Sequence, residues 1–549
     1  MNYQNLGLLV RTLRHVPPNQ IYHRIRLRSQ RAVYQLRPDG LEERWAGADM
    51  SAGSWPRSFR PIDLEVDHAA PTRESNGELS LSIVGETTTV TVDGWRPASR
   101  SQLHRYHLHY FEWAWPLAVS GTDADRDLFA ELWRSWRNDT QAGRWDEWSP
   151  YVVSLRAWVL CGVFGHLVAG TEVADDVQHH LRACLGFLAR NLEQDVGGNH
   201  LVKNLKALAG LAIFFDDEAA LHQASAALEE QVQRQVLDDG GHYEMSPSYH
   251  AQVMADFADL ASILAASDRQ VPPAIERCLP KMADWLAAMT YPDGSLPLIG
   301  DCTPPPPGLL DALRRRFPSA QPGVVSHLTA TGYVVLRPAA GTMVVADFGP
   351  PCPRELPAHA QADWGTFELW HDGERLIADP GVSTYVGERR AWERSHQAHN
   401  TIHVEGHHQT ECWSSFRAAR RLHPRSIVVS SDGGTAQILA TAIWASGLHH
   451  ERQFRVTPSS MEIYDRTPTH NGPLVASLTT TSKANSLTVR GSETIPDAGT
   501  CMVGIGFGEQ EAATRYRSRG NAGRHTWQLT WATVDDPTHK DDQVEVVGI

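Results

Sequence analysis

Four segments of the chain gather side chains that can hold an anion or move a proton. The first, GGNHLVKNLKALAG (197–210), sets Asn199 and His200 at the start of a helix whose apolar face is Leu201, Leu205, Leu208 and Leu211. Asn at a helix start is a common cap. A helix N-terminus also draws anions, so an amide, an imidazole and free backbone N–H groups there could hold a carboxylate. In the second, GGHYEMSPSYHAQV (240–253), Ser246 and Pro247 read as a capping hydroxyl followed by Pro at the first helical position. Tyr249 and His250 then fall in the first turn. The third, PAHAQADWGTFELWHDGERLIADPGVSTY (357–385), puts His359, Gln361 and Asp363 in a loop before a strand, and Asp379 before a Pro-Gly turn. The fourth, RRAWERSHQAHNTIHVEGHHQ (389–409), holds His396, His399, His403, His407 and His408. His beside Asp379 would suit zinc, but no helical ligand spacing such as H-E-x-x-H accompanies it.

Two kinds of element must position these segments. From about residue 104 to 320 apolar residues recur at three- and four-residue spacing, as in DLFAELWRSW, HLVKNLKALAGLAIFF and PSYHAQVMADFADLASILAA. Short Gly/Pro/Asp loops join them, which fits an array of helical hairpins closing into a toroid. Proline-rich CTPPPPG (302–308) leads out of this region. After about 325 the pattern is strand-like, with TGYVVLRP, GTMVVADFG, GTFELWHDG and SMEIYDR between turn residues. The expected fold class is multidomain α+β: an N-terminal (α/α) toroid, an incomplete helical barrel, followed by a C-terminal antiparallel β-sandwich. The expected divisions are 1–100 (a basic arm and a mixed segment with a hairpin through LSLSIVGETTTVTVDG), 101–322 (toroid) and 323–549 (sandwich), with the site at the seam.

The chain has 549 residues, more than one core usually supports. Its net charge of −14 argues against nucleic acid as a partner, so a polyanion would need a locally basic site. The 18 Trp residues fill cores and can also stack on sugar rings. The seven cysteines are scattered, which indicates neither a disulfide framework nor a zinc ribbon. Leu6 to Val10 is too short for a signal-peptide core, and no run of 18 apolar residues suggests a transmembrane helix. A cytoplasmic location is the expectation. The Arg-rich segment from Arg11 to Arg37 reads as a solvated helical arm, with an anionic surface as the alternative.

From about residue 100 to 420 the sequence resembles the heparinase II/III family of polysaccharide lyases. HYFEWAWPLA (109–118), W-x-x-W-S-P-Y-x-x-S-x-R (145–156), GNHLVKNLKAL (198–208), DGGHYEMSPSYH (239–250), PDGSLPLIGD (292–301), HAQADWGTFELWHDGERLIADPG (359–381) and AHNT (398–401) carry the resemblance by their order and spacing. It implies the same toroid and sandwich. It also implies catalytic roles for Asn199, Tyr249 and His359, with His200 auxiliary. Lys203, His250, Arg394, Trp148 and Tyr151 are candidate substrate contacts, and Arg389, Arg390, Arg417, Arg420 and Arg421 are further candidates for a basic lining. Some relatives hold a structural zinc or calcium, and the matching positions are Gln361, Asp379 and His399. Gln361 stands where those relatives have a His, which leaves an oxygen-ligated ion or none open.

The implied reaction is β-elimination on a uronate-containing acidic glycan, giving a 4,5-unsaturated uronate end and needing no cofactor. Asn199 and His200 would neutralise the uronate carboxylate, while Tyr249 and His359 would serve as base and acid in an order the sequence leaves open. Two rivals stand beside it. A toroid-fold glycoside hydrolase would need two opposed carboxylates, and Asp146, Glu147, Glu244, Asp301 and Asp363 are available. A non-catalytic glycan-binding protein of a surface-polysaccharide pathway would not require Asn199, Tyr249 and His359 together.

Overall fold

The computed structural model describes residues 3–48, 51–90, 94–144, 146–484, 486–492, 497–531 and 546–548. The last strand of the expected N-terminal hairpin runs into residues 91–93, and the 145–156 motif opens on Trp145; both lie outside the described residues. The hairpin itself pairs Leu79–Ile83 with Glu86–Thr89.

The helical part is an (α/α) toroid built around Gly198–Phe215, which packs against Pro150–Val163, Ala174–Asn191, Glu218–Gln235 and Pro247–Ala266. Leu, Ala and Phe surround that central helix on every side, and all its residues are buried except His200 and Lys203. A helix apolar all round is a core helix. The stretch Pro150–Val168 is long and apolar enough to cross a membrane, in contrast to the sequence expectation, yet most of it is buried among its neighbours.

The sandwich is two sheets. One runs His423–Asp432, Thr435–Ile443, His449–Val456, Ser460–Arg466, Arg524–Trp531, Leu487–Gly491 and Val546–Gly548, antiparallel but for the last strand. The other runs from Asp497–Gly506 through Glu509–Gly520, Leu474–Thr481, Glu374–Ile377, Phe367–His371, Thr342–Asp347 and Tyr333–Ala339 to Val325–Leu328. Alternation along each strand turns one face inward, and Ile438, Phe454, Ile463, Leu478 and Trp527 fill the space between the sheets. A separate apolar cluster joins the two parts of the chain: Trp285, Met289, Tyr291 and Ile299 meet Tyr333, Val335, Met343, Val345 and Trp370. Burying each such large side chain stabilises the junction by roughly 1.5–3 kcal/mol.

The N-terminal arm is not free in solvent. It forms two helices, Tyr3–Leu13 and Pro18–Leu36, that bridge both parts. Arg11 pairs with Glu411 of the sandwich at 3.0 Å, and Thr12 accepts from Trp413 Nε1 at 3.0 Å. Arg24 donates to the Asp195 carbonyl at 3.1 Å and Arg26 to that of Arg190 at 2.9 Å. The arm is helical and largely exposed, as the solvated-arm reading expected, but these contacts pin it to both parts of the chain.

Asn400 ties the sandwich together beside the site. Its Nδ2 donates to the carbonyls of Phe367 and Ala378, both at 2.9 Å, and its Oδ1 accepts from Thr479 N at 2.8 Å. Asn400→Ala leaves three buried backbone groups unpaired and is expected to cost at least about 3 kcal/mol, measured by urea unfolding. A loss below about 1 kcal/mol would show that the strands do not depend on it.

Candidate active site

The site lies where the toroid meets the sandwich, around one carboxylate. Asp301, fully buried at the end of the PDGSLPLIGD loop, receives Arg390 through both guanidinium nitrogens at 2.6 Å. Gln361 Nε2 donates to it at 2.6 Å, and His359 Nδ1 lies 3.0 Å away. The other nitrogen of His359, Nε2, is 3.2 Å from Glu244. The imidazole therefore bridges two buried carboxylates. Burial opposes its charge, but the hydrogen bonds to Asp301 and Glu244 prevail and lift its pKa to about 9. Burial likewise opposes ionisation of Glu244, yet His359 draws it down to about 2. At neutral pH the pair is carboxylate and imidazolium. This stabilisation is full below the ordinary histidine pKa and fades as pH rises through about 9.

Glu244 also sets Asn199. It accepts from the Asn199 backbone N at 2.6 Å and from Nδ2 at 2.9 Å. Gly197, with φ 73°, occupies the cap position, so Asn199 is not the cap. Gly198 has φ 56°, and a Cβ there would run into the Glu244 carboxylate. Glycine is required by both conformation and space. His200 projects into the cleft, half-exposed, with Tyr151 stacked on it at 4.2 Å. Burial weighs against its charge, but Glu193 at 3.3 Å wins and raises its pKa.

Tyr249 packs against His359 with ring centroids 4.1 Å apart and planes tilted by 36°. Its hydroxyl shares a 2.9 Å hydrogen bond with that of Tyr385, and the Arg390 guanidinium sits 5.0 Å from the Tyr385 ring. Burial first, and Tyr385 second, push the Tyr249 pKa well above the ordinary phenol value. Ser246 does stand at the helix start, but its hydroxyl makes no cap; it donates to the Asp301 carbonyl at 3.0 Å.

Asn199, His200, Tyr249, His359 and Tyr151 thus come together. Four other candidate contacts are engaged by neighbouring groups. His250 is fully buried, accepts from His242 N, bonds the Met282 carbonyl and stacks on Trp285. Trp148 is packed among Trp45, Phe187 and His180. Arg394 is buried against the carbonyls of Ala360, Ser414 and Pro357. Lys203 is neutralised by Asp256 at 2.8 Å. His250, Trp148 and Arg394 are satisfied inside, and Lys203, only partly buried, is held by its ion pair. Of the wider basic set only Arg390 reaches the centre. Tyr385 escaped sequence reading, because nothing local marks it: it is 136 residues from Tyr249.

The metal candidates divide. His399 Nδ1 and Asp379 are 2.9 Å apart, and Asp379 also accepts from Thr366 at 2.7 Å. Gln361 is turned to Asp301 instead. His399 Nε2 and Gln361 Oε1 are buried without a hydrogen-bond partner, but among the described residues no three His, Cys, Asp or Glu side chains form a group that could hold an ion. This arrangement does not fit a closed zinc site, and no chemical step is routed through a metal.

Residues 93–314 match the heparinase II/III N-terminus, and residues 320–530 match the heparinase II/III-like C-terminal domain. The chain belongs to the heparinase II/III-like family. A heparin-sulfate lyase of Bacteroides thetaiotaomicron is 26% identical over 375 residues, covering 56% of this heparinase II/III-like chain and 52% of the relative. FtsZ-localized protein C of Caulobacter vibrioides is 28% identical over 397 residues, covering 70% of this chain and 63% of its own. The matches thus span about half to under two thirds of these relatives. The solved structure of heparinase III superposes with a TM-score of 0.70 at 19% identity, over 91% of this chain and 90% of that one. That likeness establishes the toroid-and-sandwich fold.

Two measurements test the electrostatic core. Arg390→Ala strands Asp301 with half its cationic partners and is expected to lose about 3–5 kcal/mol in denaturant unfolding. Glu244→Gln removes one of the two anions on His359. Its imidazole pKa, followed by NMR, should fall from about 9 toward the ordinary value; an unchanged titration would mean that Glu244 does not hold it.

Proposed function

We propose that this protein is a polysaccharide lyase that cleaves an acidic, uronate-containing glycan by β-elimination. The observation that carries the reading is the imidazolium of His359, held between Glu244 and Asp301 with the tilted ring of Tyr249 against it. A uronate carboxylate must be neutralised before the proton on its C5 becomes acidic enough to remove. His359 and the Asn199 amide are held here by Glu244 and Asp301 and would reach that carboxylate by exchanging it for Glu244, while His200, half-exposed beside them with its Nδ1 on Glu193, is a further donor. Tyr249 carries the proton. Its phenolate, the minor form of a tyrosine whose pKa burial raises, takes the C5 proton, the C5–H electron pair becomes the C4=C5 bond, and the C4–O4 bond breaks. The same proton passes to O4, leaving a 4,5-unsaturated uronate end and restoring the phenolate. Two cations stand near this ring, His359 with its centroid 4.1 Å away and Arg390 through Tyr385; positive charge favours a transient phenolate, here offset in part by their pairing with Asp301 and Glu244.

Relatives named as heparin-sulfate lyases support a polyanionic substrate for this chain. A hydrolytic reading is weakened by the state of the carboxylates. An inverting or retaining hydrolase needs one carboxylic acid with a raised pKa. Glu244 and Asp301, the two that meet His359, are held ionised by it and by Arg390 and so cannot donate; burial raises Asp363 to about 6 and Glu147 to about 7, but neither is bonded to His359 or Tyr249.

The deciding assay follows ultraviolet absorbance of an unsaturated uronate while the protein acts on heparan sulfate, hyaluronan, chondroitin, alginate and bacterial exopolysaccharides. A rise is expected with at least one. Tyr249→Phe should lower turnover by about 10²–10⁴ with little change in substrate binding, and His359→Ala should lower it as well. New reducing ends without absorbance would instead establish hydrolysis. Binding unaffected by either change, with no cleavage, would leave a glycan-binding protein.

A further inference from the structure

The outward face of the N-terminal arm is apolar. On Pro18–Leu36, Ile21, Tyr22, Ile25, Val33 and Leu36 are all exposed, Tyr22 and Ile25 by 63% and 62% and Leu36 by 81%. At 100° per residue they fall within about 120° of the helix circumference. The opposite face is the docked one, where Gln20 is buried and Tyr34 packs edge-on against Trp45. The preceding helix, Tyr3–Leu13, repeats the pattern with exposed Leu6, Val10 and Leu13. These eight residues are close to half of all the large apolar side chains exposed among the described residues. Single exposed apolar residues need no explanation, but a stripe along two consecutive helices does.

The charge of the same segment is equally one-sided. Residues 1–38 contain seven arginines and no Asp or Glu, in a chain of net charge −14. Arg14, Arg28 and Arg37 are exposed, and among the described residues none of them has a carboxylate partner. An apolar stripe edged by unpaired guanidinium groups is complementary to an anionic bilayer, whose headgroups take the cations and whose acyl boundary takes the stripe.

We propose that the two N-terminal helices dock the protein peripherally on an anionic lipid surface. Their inner faces grip residues 190–195, which lead into the Gly198–Phe215 helix, and Glu411 and Trp413 of the sandwich. The bilayer would thus lie beside the entrance to the cleft. The inference does not depend on the proposed lyase chemistry, since lipid binding is read without any glycan.

The test is flotation of the full chain with vesicles of phosphatidylglycerol and phosphatidylcholine in equal parts, against vesicles of phosphatidylcholine alone. Wild type should float with the anionic vesicles only, and less so at high salt. Ile25→Asp with Leu36→Asp should lower the bound fraction about tenfold, and Arg28→Glu with Arg37→Glu should do the same. Both variants should keep the wild-type melting temperature and the wild-type rate on soluble oligosaccharide. Absence of flotation, equal flotation with neutral vesicles, or flotation unchanged by the variants would overturn the proposal. So would a wild-type dimer in sedimentation velocity that Ile25→Asp with Leu36→Asp dissolves, because a second copy would then be what covers the stripe.

Discussion

The carboxylate of Asp301 is buried, ionised and fourfold engaged, and the cleft is arranged around that fact. A buried anion is stable only when its charge is met at close range and its lone pairs are filled. Arg390 meets the charge through two bonds, Gln361 and His359 fill what is left, and Ser246 secures the adjoining carbonyl. The loop 292–301 is thereby tied to the helix Gly387–Glu393 and to the strand-leading loop at 357–363. Removing the charge would release all three.

Glu244 extends the same logic to the other side of His359. One carboxylate orients the Asn199 amide, anchors the first turn of the Gly198–Phe215 helix and confines the imidazole. Two anions around one ring keep it protonated far above the pH at which a free histidine would lose its proton. With Arg390 the two cations and the two carboxylates cancel, so the centre is a neutral network of paired charges inside a protein whose overall charge is −14.

Much of the architecture was legible because periodicity reports it directly: leucines at helical spacing announced the Gly198–Phe215 helix, and alternation announced the sandwich strands. Asn199 and Tyr249 stood out at helix starts beside glycine and proline signals, and His359 in the loop before a strand, but it was the family resemblance that singled the three out. The errors share one cause. Spacing says which residues share a face, not what that face meets. Lys203 does lie one turn beyond Asn199, but Asp256 on the neighbouring helix meets it there. His250 follows Tyr249 by about 100° of helix rotation, which was enough to aim one at the cleft and the other at the core. Arg390 and Asp301 are 89 residues apart, and no local pattern could have paired them.

Tyr249 is supplied by the helical part and His359 by the segment that enters the sandwich, and their rings pack together across the seam. Neither part holds a competent set of groups by itself. During synthesis His359 and Arg390 are translated after the whole helical portion, so the bridge from Glu244 through His359 to Asp301 can form only once the second half of the chain has docked.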